Sequence, residues 1–492
     1  MKILIVGAGR VGAGVAESLV SEKNDITVVD HDADGLRELQ QRLDLRGVVG
    51  SGTDPLVLAE AGARDTDLLI ACAAQDEVNL VCCKLAWMLF NIPTRIARVR
   101  AHAYEDGSAL LSKEGFAVDH ILCPEDLLTR YIGLLVQYPE ALQVREFAGG
   151  RACLVSARAR MGAPAVGVQI KTLREQMPEV AMRIVAIYRR FTEGPDRFVP
   201  CGGDTLIEPG DEVFVLAGRQ RIARVLAALH RRQDQPAQPV RRLMVAGASS
   251  VGERLAQELA SQQGRFHIKI IEEDAERCEQ LAARVPEGVL VLHGEASDES
   301  LLEEEGVQET DLFLSLSDDD ENNIMASLLA KRMGARRVLA LINRDTYADL
   351  MHGTQIDIAL SPTQTILGEL LTYVRRGDVQ AVHSLRRGVA EALEVVVRGD
   401  RKTSRVVGRR VQDLSLPPEV HIGLIVRGLP DPEALPPADD EAPRAPPAAE
   451  PEIIIPRSHT VLESNDHVVF FLPRKRLVRQ VEELFRVRAT FF

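Results

Sequence analysis

Residues 1–32 read MKILIVGAGRVGAGVAESLVSEKNDITVVDHD. Lys2 to Val6 is a short apolar run of the kind found in strands buried on both faces of a parallel sheet. It runs into Gly7-Ala8-Gly9-Arg10-Val11-Gly12, after which Val11, Val15 and Leu19 fall at helical spacing. A β-branched run, Ile26 to Val29, then ends in Asp30. Strand, Gly-rich turn, helix, strand and acid is the order of a dinucleotide fingerprint.

Each position has a physical task. Gly7 permits the tight turn out of the strand, Gly9 lets a pyrophosphate approach the backbone, and Gly12 allows the helix to pack close to the strand. The helix N-terminus, opening at Arg10 and Val11, presents unpaired N–H groups and the positive end of its dipole to phosphates. Asp30 lies 18 residues beyond Gly12, where a carboxylate accepts both ribose hydroxyls and repels a 2′-phosphate. A fingerprint alone also fits a strand–helix turn that binds nothing; the flanking strands and Asp30 favour nucleotide binding.

At Arg242 the pattern restarts as RLMVAGASSVGERLAQELASQQGRFHIKIIEED. Gly247 and Gly252 repeat Gly7 and Gly12 at an offset of 240, with Val251 at the position of Val11. Further on the offset is 244, pairing Asp54 with Asp298, Asp67 with Asp311, Asp76 with Asp320, Glu77 with Glu321 and Asn79 with Asn323. The copy departs where chemistry would notice: Ser249 replaces Gly9, Ser250 replaces Arg10 and Glu272 replaces Asp30. The second site is therefore expected to be weaker, altered in preference, or empty. The acidic run Asp318 to Glu321 reads as a solvated helix start rather than a metal site.

Between the copies, α/β alternation continues through helices at 33–43, 55–61 and 80–90 and strands at 47–49, 67–72, 94–99 and 118–122. Ligands of open α/β sheets bind at the carboxyl ends of the strands. Ser51, Thr53, Asp54, Ala73, Ala74 and Asn79 lie in those loops and are expected adenosine neighbours; helix capping is an equal account of them. From Asp126 a helix reads DLLTRYIGLLVQY, apolar around more of its circumference than one sheet face requires. Residues 145–232 change to alternating β segments, and LIEPGDEVFVL recurs as LESNDHVVFFL. The expected order is a sheet domain (1–125), a crossover helix (126–144), a small α+β domain (145–232) and a linker (233–240). A second sheet domain (241–363), crossover helix (364–383) and small α+β domain (384–488) follow. Residues 428–451, rich in Pro, Ala and acid, read as a disordered loop inside the last domain.

The chain of 492 residues is 46% hydrophobic and 27% charged, an ordinary soluble composition. A net charge of −13 argues against a protein that coats nucleic acid or anionic lipid. The seven Cys show no metal spacing and read as buried hydrophobes in a reducing cytosol. No apolar run reaches the ~20 residues needed to span a bilayer, so any membrane role is expected to pass through a partner.

Two tandem nucleotide-binding sheet domains, each followed by a small β-rich domain, resemble the regulator-of-potassium-conductance (RCK) family, and within it the cytosolic regulators of bacterial Trk potassium uptake. The likeness covers nearly the whole chain and is most specific at LLAKRMGARRV (328–338), SLRRGVAEALE (384–394) and TSRVVGR (403–409). It implies a homotetrameric ring on the cytoplasmic face of the membrane, bound peripherally to a potassium transporter subunit. It also implies binding of NAD(H) and ATP or ADP, with Mg2+ bridging the phosphates, and no catalysis. By the same resemblance Gly7, Gly9, Arg10, Gly12 and Asp30 line the nucleotide site. Arg98, Arg100 and Glu125 are implied phosphate or cross-subunit contacts.

The rival class is an NAD-dependent oxidoreductase. Such an enzyme needs a substrate domain presenting an acid or base to the nicotinamide. Neither small domain offers a suitable arrangement, and His102 and His120 read as packing or loop residues.

Overall fold

The structure, a computed structural model, describes every residue except 21–23, 102–103, 105–108, 179, 192–196, 200, 232–237, 263, 345, 348–350, 352–354, 376–377, 387–388, 431–450 and 488–492. His102, most of the linker and most of the Pro-rich segment therefore lie outside the described residues.

The first lobe runs β1 (Lys2–Val6), α1 (Arg10–Val20), β2 (Asp25–Asp30), α2 (Ala33–Arg42), β3 (Arg46–Val49), α3 (Pro55–Glu60), β4 (Leu68–Ala71), α4 (Asp76–Phe90), β5 (Thr94–Arg98) and β6 (His120–Leu122). Its six strands are parallel in the order β3-β2-β1-β4-β5-β6. The apolar runs that suggested central strands are buried accordingly: Leu4, Ile5, Leu69 and Val29 are at or near zero exposure. Helix α4 begins at Asp76 rather than Leu80, with Asp76 and Glu77 in its first turn where the dipole favours acids.

Helix α5 (Pro124–Gln137) leaves this sheet for the first small module. That module holds β7 (Ala141–Phe147), β8 (Ala152–Arg158), α6 (Ile170–Gln176), β9 (Met182–Arg189), β10 (Arg197–Val199), β11 (Glu212–Gly218) and α7 (Ile222–His230). Its antiparallel sheet has the order β10-β9-β11-β8-β7.

The second lobe repeats the first with β12 (Arg242–Ala246), α8 (Ser250–Ala260), β13 (His267–Glu272), α9 (Ala275–Ala282), β14 (Val289–His293), α10 (Glu299–Glu304), β15 (Leu312–Ser315), α11 (Asp320–Arg332), β16 (Val338–Leu341) and β17 (Ile358–Leu360). Strand order β14-β13-β12-β15-β16-β17 matches that of the first sheet. After α12 (Pro362–Val374) the second small module holds β18 (Val379–Leu385), β19 (Ala390–Val396), β20 (His421–Arg427), β21 (Glu452–Ile454), β22 (His467–Leu472) and α13 (Val478–Phe485). The fold is α/β: two Rossmann-like parallel sheets, each followed by a small antiparallel α+β module.

Both crossover helices are shorter than the sequence suggests, and this corrects the ranges 126–144 and 364–383. Helix α5 stops at Gln137 because Pro139 supplies no N–H and disfavours helical backbone at Tyr138. The following β7 and β18 were hidden by a β-bulge in each, between Ala141 and Gln143 and between Val379 and Ala381. A bulge breaks the period-two alternation; buried Ala141, Val144 and Phe147 fall three apart and imitate a helix.

The segments pair like with like. One compact unit comprises Met1–Arg130 with Arg242–Leu367, and the other Tyr131–Arg241 with Gly368–Phe492. Within the second unit both small modules feed one core, in which Phe147, Phe214 and Leu154 join Leu385, Leu424 and Phe471.

Candidate functional site

In the unit built from the two sheets, both Gly-rich turns open on one cavity of about 1330 Å³. Gly7, Gly9, Arg10, Val11, Asp30, Ser51, Ala73, Ala74, Arg98, Arg100 and Glu125 line it from the first lobe. Gly247, Ser249, Val251 and Glu272 line it from the second, so the two fingerprints face each other across shared space.

The turn after β1 is held by its own glycines. Gly7 has φ +103°, in the left-handed region, and a Cβ there would lie 2.8 Å from the Ala73 nitrogen. A Cβ on Gly12 would sit 1.9 Å from the Gly7 carbonyl oxygen, so Gly12 sets the approach of α1 to the strand. Gly9 differs: among the described residues a Cβ there meets nothing within 4 Å beyond its chain neighbours. The protein itself does not require glycine at position 9; the open space faces the cavity.

At the acidic position, Asp30 Oδ2 accepts the Ala8 amide at 2.5 Å and Oδ1 accepts the Asp32 amide at 2.9 Å. In the second lobe Glu272 accepts Ala248 at 2.6 Å and Asp274 at 3.1 Å. The substitution keeps the brace while lengthening the arm.

Ser249 is the N-cap of α8, its hydroxyl accepting the Gly252 amide at 3.3 Å. That bond satisfies one of the N–H groups a phosphate would otherwise use. Gly9 places no side chain at the corresponding point.

Cation density lies on the β4–β5 side of the first turn. The Arg98 guanidinium is 3.5 Å from Glu125, and among the described residues its buried Nε has no hydrogen-bond partner. Arg100 donates to the Ala74 carbonyl, and its own amide is fixed by Asp76 at 2.9 Å. Arg10, two-thirds exposed, lies 3.8 Å from Asp318 of the facing lobe. Beneath the turn, burial pushes the Cys72 thiol up to about 12, with Arg98 opposing, so it stays protonated.

Five expected residues do not line the cavity: Gly12, Thr53, Asp54, Asn79 and Gly252. The glycines act by packing. Asp54 caps α3 through the Leu56 amide at 2.8 Å, and Thr53 bonds Ser51. Asn79 is a correction: it is fully buried, both its N–H groups are committed to the Ala73 and Arg98 carbonyls, and its oxygen accepts Ala73 N–H. Asn323 ties Ser317 and Leu341 in the same way.

The other repeated acids are likewise ties. Asp67 and Asp311 accept the Lys2 and Arg242 amides at 2.7 and 2.9 Å. Asp320 is buried and holds the Asn343 and Arg344 amides, each at 2.8 Å, so the run at 318–321 is only partly a solvated helix start. Asp319 caps α11 through Asn322. What repeats between the lobes is therefore mostly the scaffold, whereas what differs faces the cavity. Among the described residues no group of three or more His, Cys, Asp or Glu is placed to hold a metal ion.

Sequence reasoning did not find Arg254 or Arg277. Arg277 lines the cavity from α9, and Arg254 of α8 reaches the first lobe at Arg100 and Asp126. Both sit where the first lobe has a glycine, Gly14 and Gly35, so the internal repeat gave no warning of them.

Among the described residues no helix is long and apolar enough to cross a membrane. The TrkA-N domain model matches residues 3–124 and again 243–362, and the TrkA-C domain model matches 154–230. The Trk system potassium uptake protein TrkA of Halomonas elongata is 47% identical over 492 residues, all of both chains. That of Vibrio alginolyticus is 44% identical over 99% of each chain. Among solved structures, one titled GsuK channel bound to NAD aligns with 98% of this chain and 78% of its own at TM-score 0.58 and 16% identity, a likeness of fold. The GsuK RCK domain aligns over 98% of this chain and 94% of its own, again at TM-score 0.58 and 16% identity. The duplicated N-terminal model and full-length identity to named relatives assign the chain: it belongs to the family of Trk system potassium uptake proteins, TrkA.

Proposed function

We propose that this chain is the regulatory subunit of a membrane potassium transporter, and that it senses NAD(H) and ATP or ADP without turning them over. The observation that carries this is the shared cavity: two Gly-rich turns, two braced carboxylates and four arginines, Arg10, Arg98 and Arg100 from the first lobe and Arg277 from the second, line one space. Asp30 ends β2 on one side of β1, and Arg98 ends β5 on the other. A nucleotide with its ribose at Asp30 and its pyrophosphate over the β1–α1 turn would direct its far end toward Arg98, Arg100 and Glu125. The unpartnered Arg98 Nε and the open space at Gly9 suit such an anion. Mg2+ would then be held by the nucleotide phosphates with Glu125, rather than by a protein cage.

The subunit would act as a homotetrameric ring, peripheral on the cytoplasmic face of the membrane. A ligand shifts such a ring only through its different affinity for two states. ATP and ADP differ in the terminal phosphate, which the arginine-rich side is built to read. Ser249 makes the second site the weaker one.

Calorimetric titration with ATP, ADP and NADH, alongside NADH oxidation over a panel of carbonyl substrates, tests the proposal. Binding without turnover supports it; turnover favours the oxidoreductase reading, and no binding contradicts it.

A further inference from the structure

In each lobe the helix that opens the fingerprint packs against the start of the other lobe's exit helix. On α1, a Cβ at Gly14 would lie 2.3 Å from Thr363 Cγ2, at the start of α12. The equivalent position on α8 is Arg254, at the same offset of 240 as Gly247 and Gly252. Arg254 Nη1 bonds the Asp126 carboxylate and lies 3.3 Å from Cys123 Sγ, while Nη2 donates to the Arg100 carbonyl at 2.7 Å. The crossing is thus unequal. In the first lobe even a methyl group would push Thr363 aside, whereas the second sends a guanidinium into its neighbour.

We infer that Arg254 is a positioning residue for the first-lobe site, through which the second lobe sets how that site reads terminal phosphates. The inference rests on the nucleotide reading above. Arg254 joins the two segments that carry the arginine-rich end of the cavity. One is the end of β5 with the loop that follows it, bearing Arg98 and Arg100. The other is the first turn of α5, bearing Glu125 beside Asp126. A planar fork bonding a carboxylate and a carbonyl together fixes their separation, which a single ammonium cannot do. Its side chain is 16% exposed, so the bond to Asp126 is partly shielded from solvent screening. Asp30, Ser51 and the β1–α1 turn are held by bonds that do not involve Arg254.

The test is calorimetry of the full chain with ATP and with AMP, which has no phosphate to place beyond the first. In Arg254→Ala, ATP affinity should fall roughly tenfold, the scale of losing a charged hydrogen bond that orders a binding segment. AMP affinity should change by less than about twofold, because Asp30 and the turn keep their own partners. Arg254→Lys, which keeps the charge but not the fork, should lie between the two. Equal losses for ATP and AMP would mark a merely structural contact and overturn the inference, as would an unchanged ATP affinity. Absence of binding to the unmodified protein would overturn the nucleotide reading itself, and this inference with it.

Discussion

Asp30 and Ala8 are joined by a 2.5 Å hydrogen bond from the Ala8 amide to Asp30 Oδ2, so the acid expected at the ribose also holds the turn expected at the phosphates. Glu272 and Ala248 repeat the bond at 2.6 Å in the second lobe. Removing the carboxylate therefore has two effects that must be separated. Asp30→Ala should weaken ATP and NADH alike by roughly tenfold or more, since both carry the ribose hydroxyls and a charged acceptor contributes about 1.5–3 kcal/mol. Asp30→Glu, which Glu272 shows can brace the same turn, should keep the melting temperature of the unmodified protein. Calorimetry with both ligands checks the first expectation and thermal melting the second.

Gly9→Ser copies the second lobe into the first. Among the described residues beyond the chain neighbours no heavy atom lies within 4 Å of the new Cβ, so the fold should tolerate it. The hydroxyl should cap α1 as Ser249 caps α8, and phosphate-dependent binding should fall while the melting temperature holds or rises slightly. Ser249→Gly should do the reverse in the second lobe. Two sites of equal affinity in the unmodified protein would contradict the role given to Ser249.

How much of this was legible in the sequence depends on which residues interact. The parallel strands and the repeat could be read because apolar runs, glycines and acids recur locally at fixed offsets. Asn79 was misread because burial cannot be seen in a sequence: a polar residue just after a strand end looks the same facing a ligand as it does buried in a first helical turn, tying two strand ends. Strands β7 and β18 were missed because bulges broke their period. The shared cavity and Arg254 lay beyond reach for another reason. They join segments more than a hundred residues apart, and a pattern of one segment carries no record of its distant neighbour.

Gly12 and Gly252 hold equivalent positions but unequal space. A Cβ on Gly12 would come within 1.9 Å of the Gly7 backbone, whereas on Gly252 the nearest atom is at 3.1 Å. Gly12→Ala must displace α1 from its strand, and should cost more than about 2 kcal/mol, on the scale of overpacking a core. Gly252→Ala should cost roughly 1 kcal/mol or less, offset in part by the better helix propensity of alanine. Chemical denaturation of both variants measures the difference.

In the unit built from the small modules, His383 is half-buried against the Phe147 ring, its centroid 5.0 Å away, and its Nε2–H donates to the Glu146 carbonyl at 3.0 Å. Burial, reinforced by the Arg145 charge, lowers its pKa from 6.5 to about 3. The folded form thus keeps this imidazole neutral while the unfolded chain takes up a proton below its ordinary pKa. Stability should be complete above that value and decline as the pH falls toward 3, by up to about 1.4 kcal/mol per pH unit from this group. His383→Gln should flatten that part of the profile of melting temperature against pH.

The central claim is that nucleotide identity, read at the arginine-rich end of the cavity, controls potassium flux. Arg10 opens α1 beside Gly9, is largely exposed and, among the described residues, is held only by Asp318 at 3.8 Å, which leaves it room to turn toward a terminal phosphate. The decisive measurement is potassium flux through the transporter reconstituted with this subunit, compared in ATP, ADP and NADH, for the unmodified chain and Arg10→Ala. Flux should differ between ATP and ADP in the unmodified complex. Arg10→Ala should narrow this difference more than it weakens NADH binding. Flux indifferent to nucleotide, or an ATP-to-ADP ratio unaltered in Arg10→Ala, would contradict it.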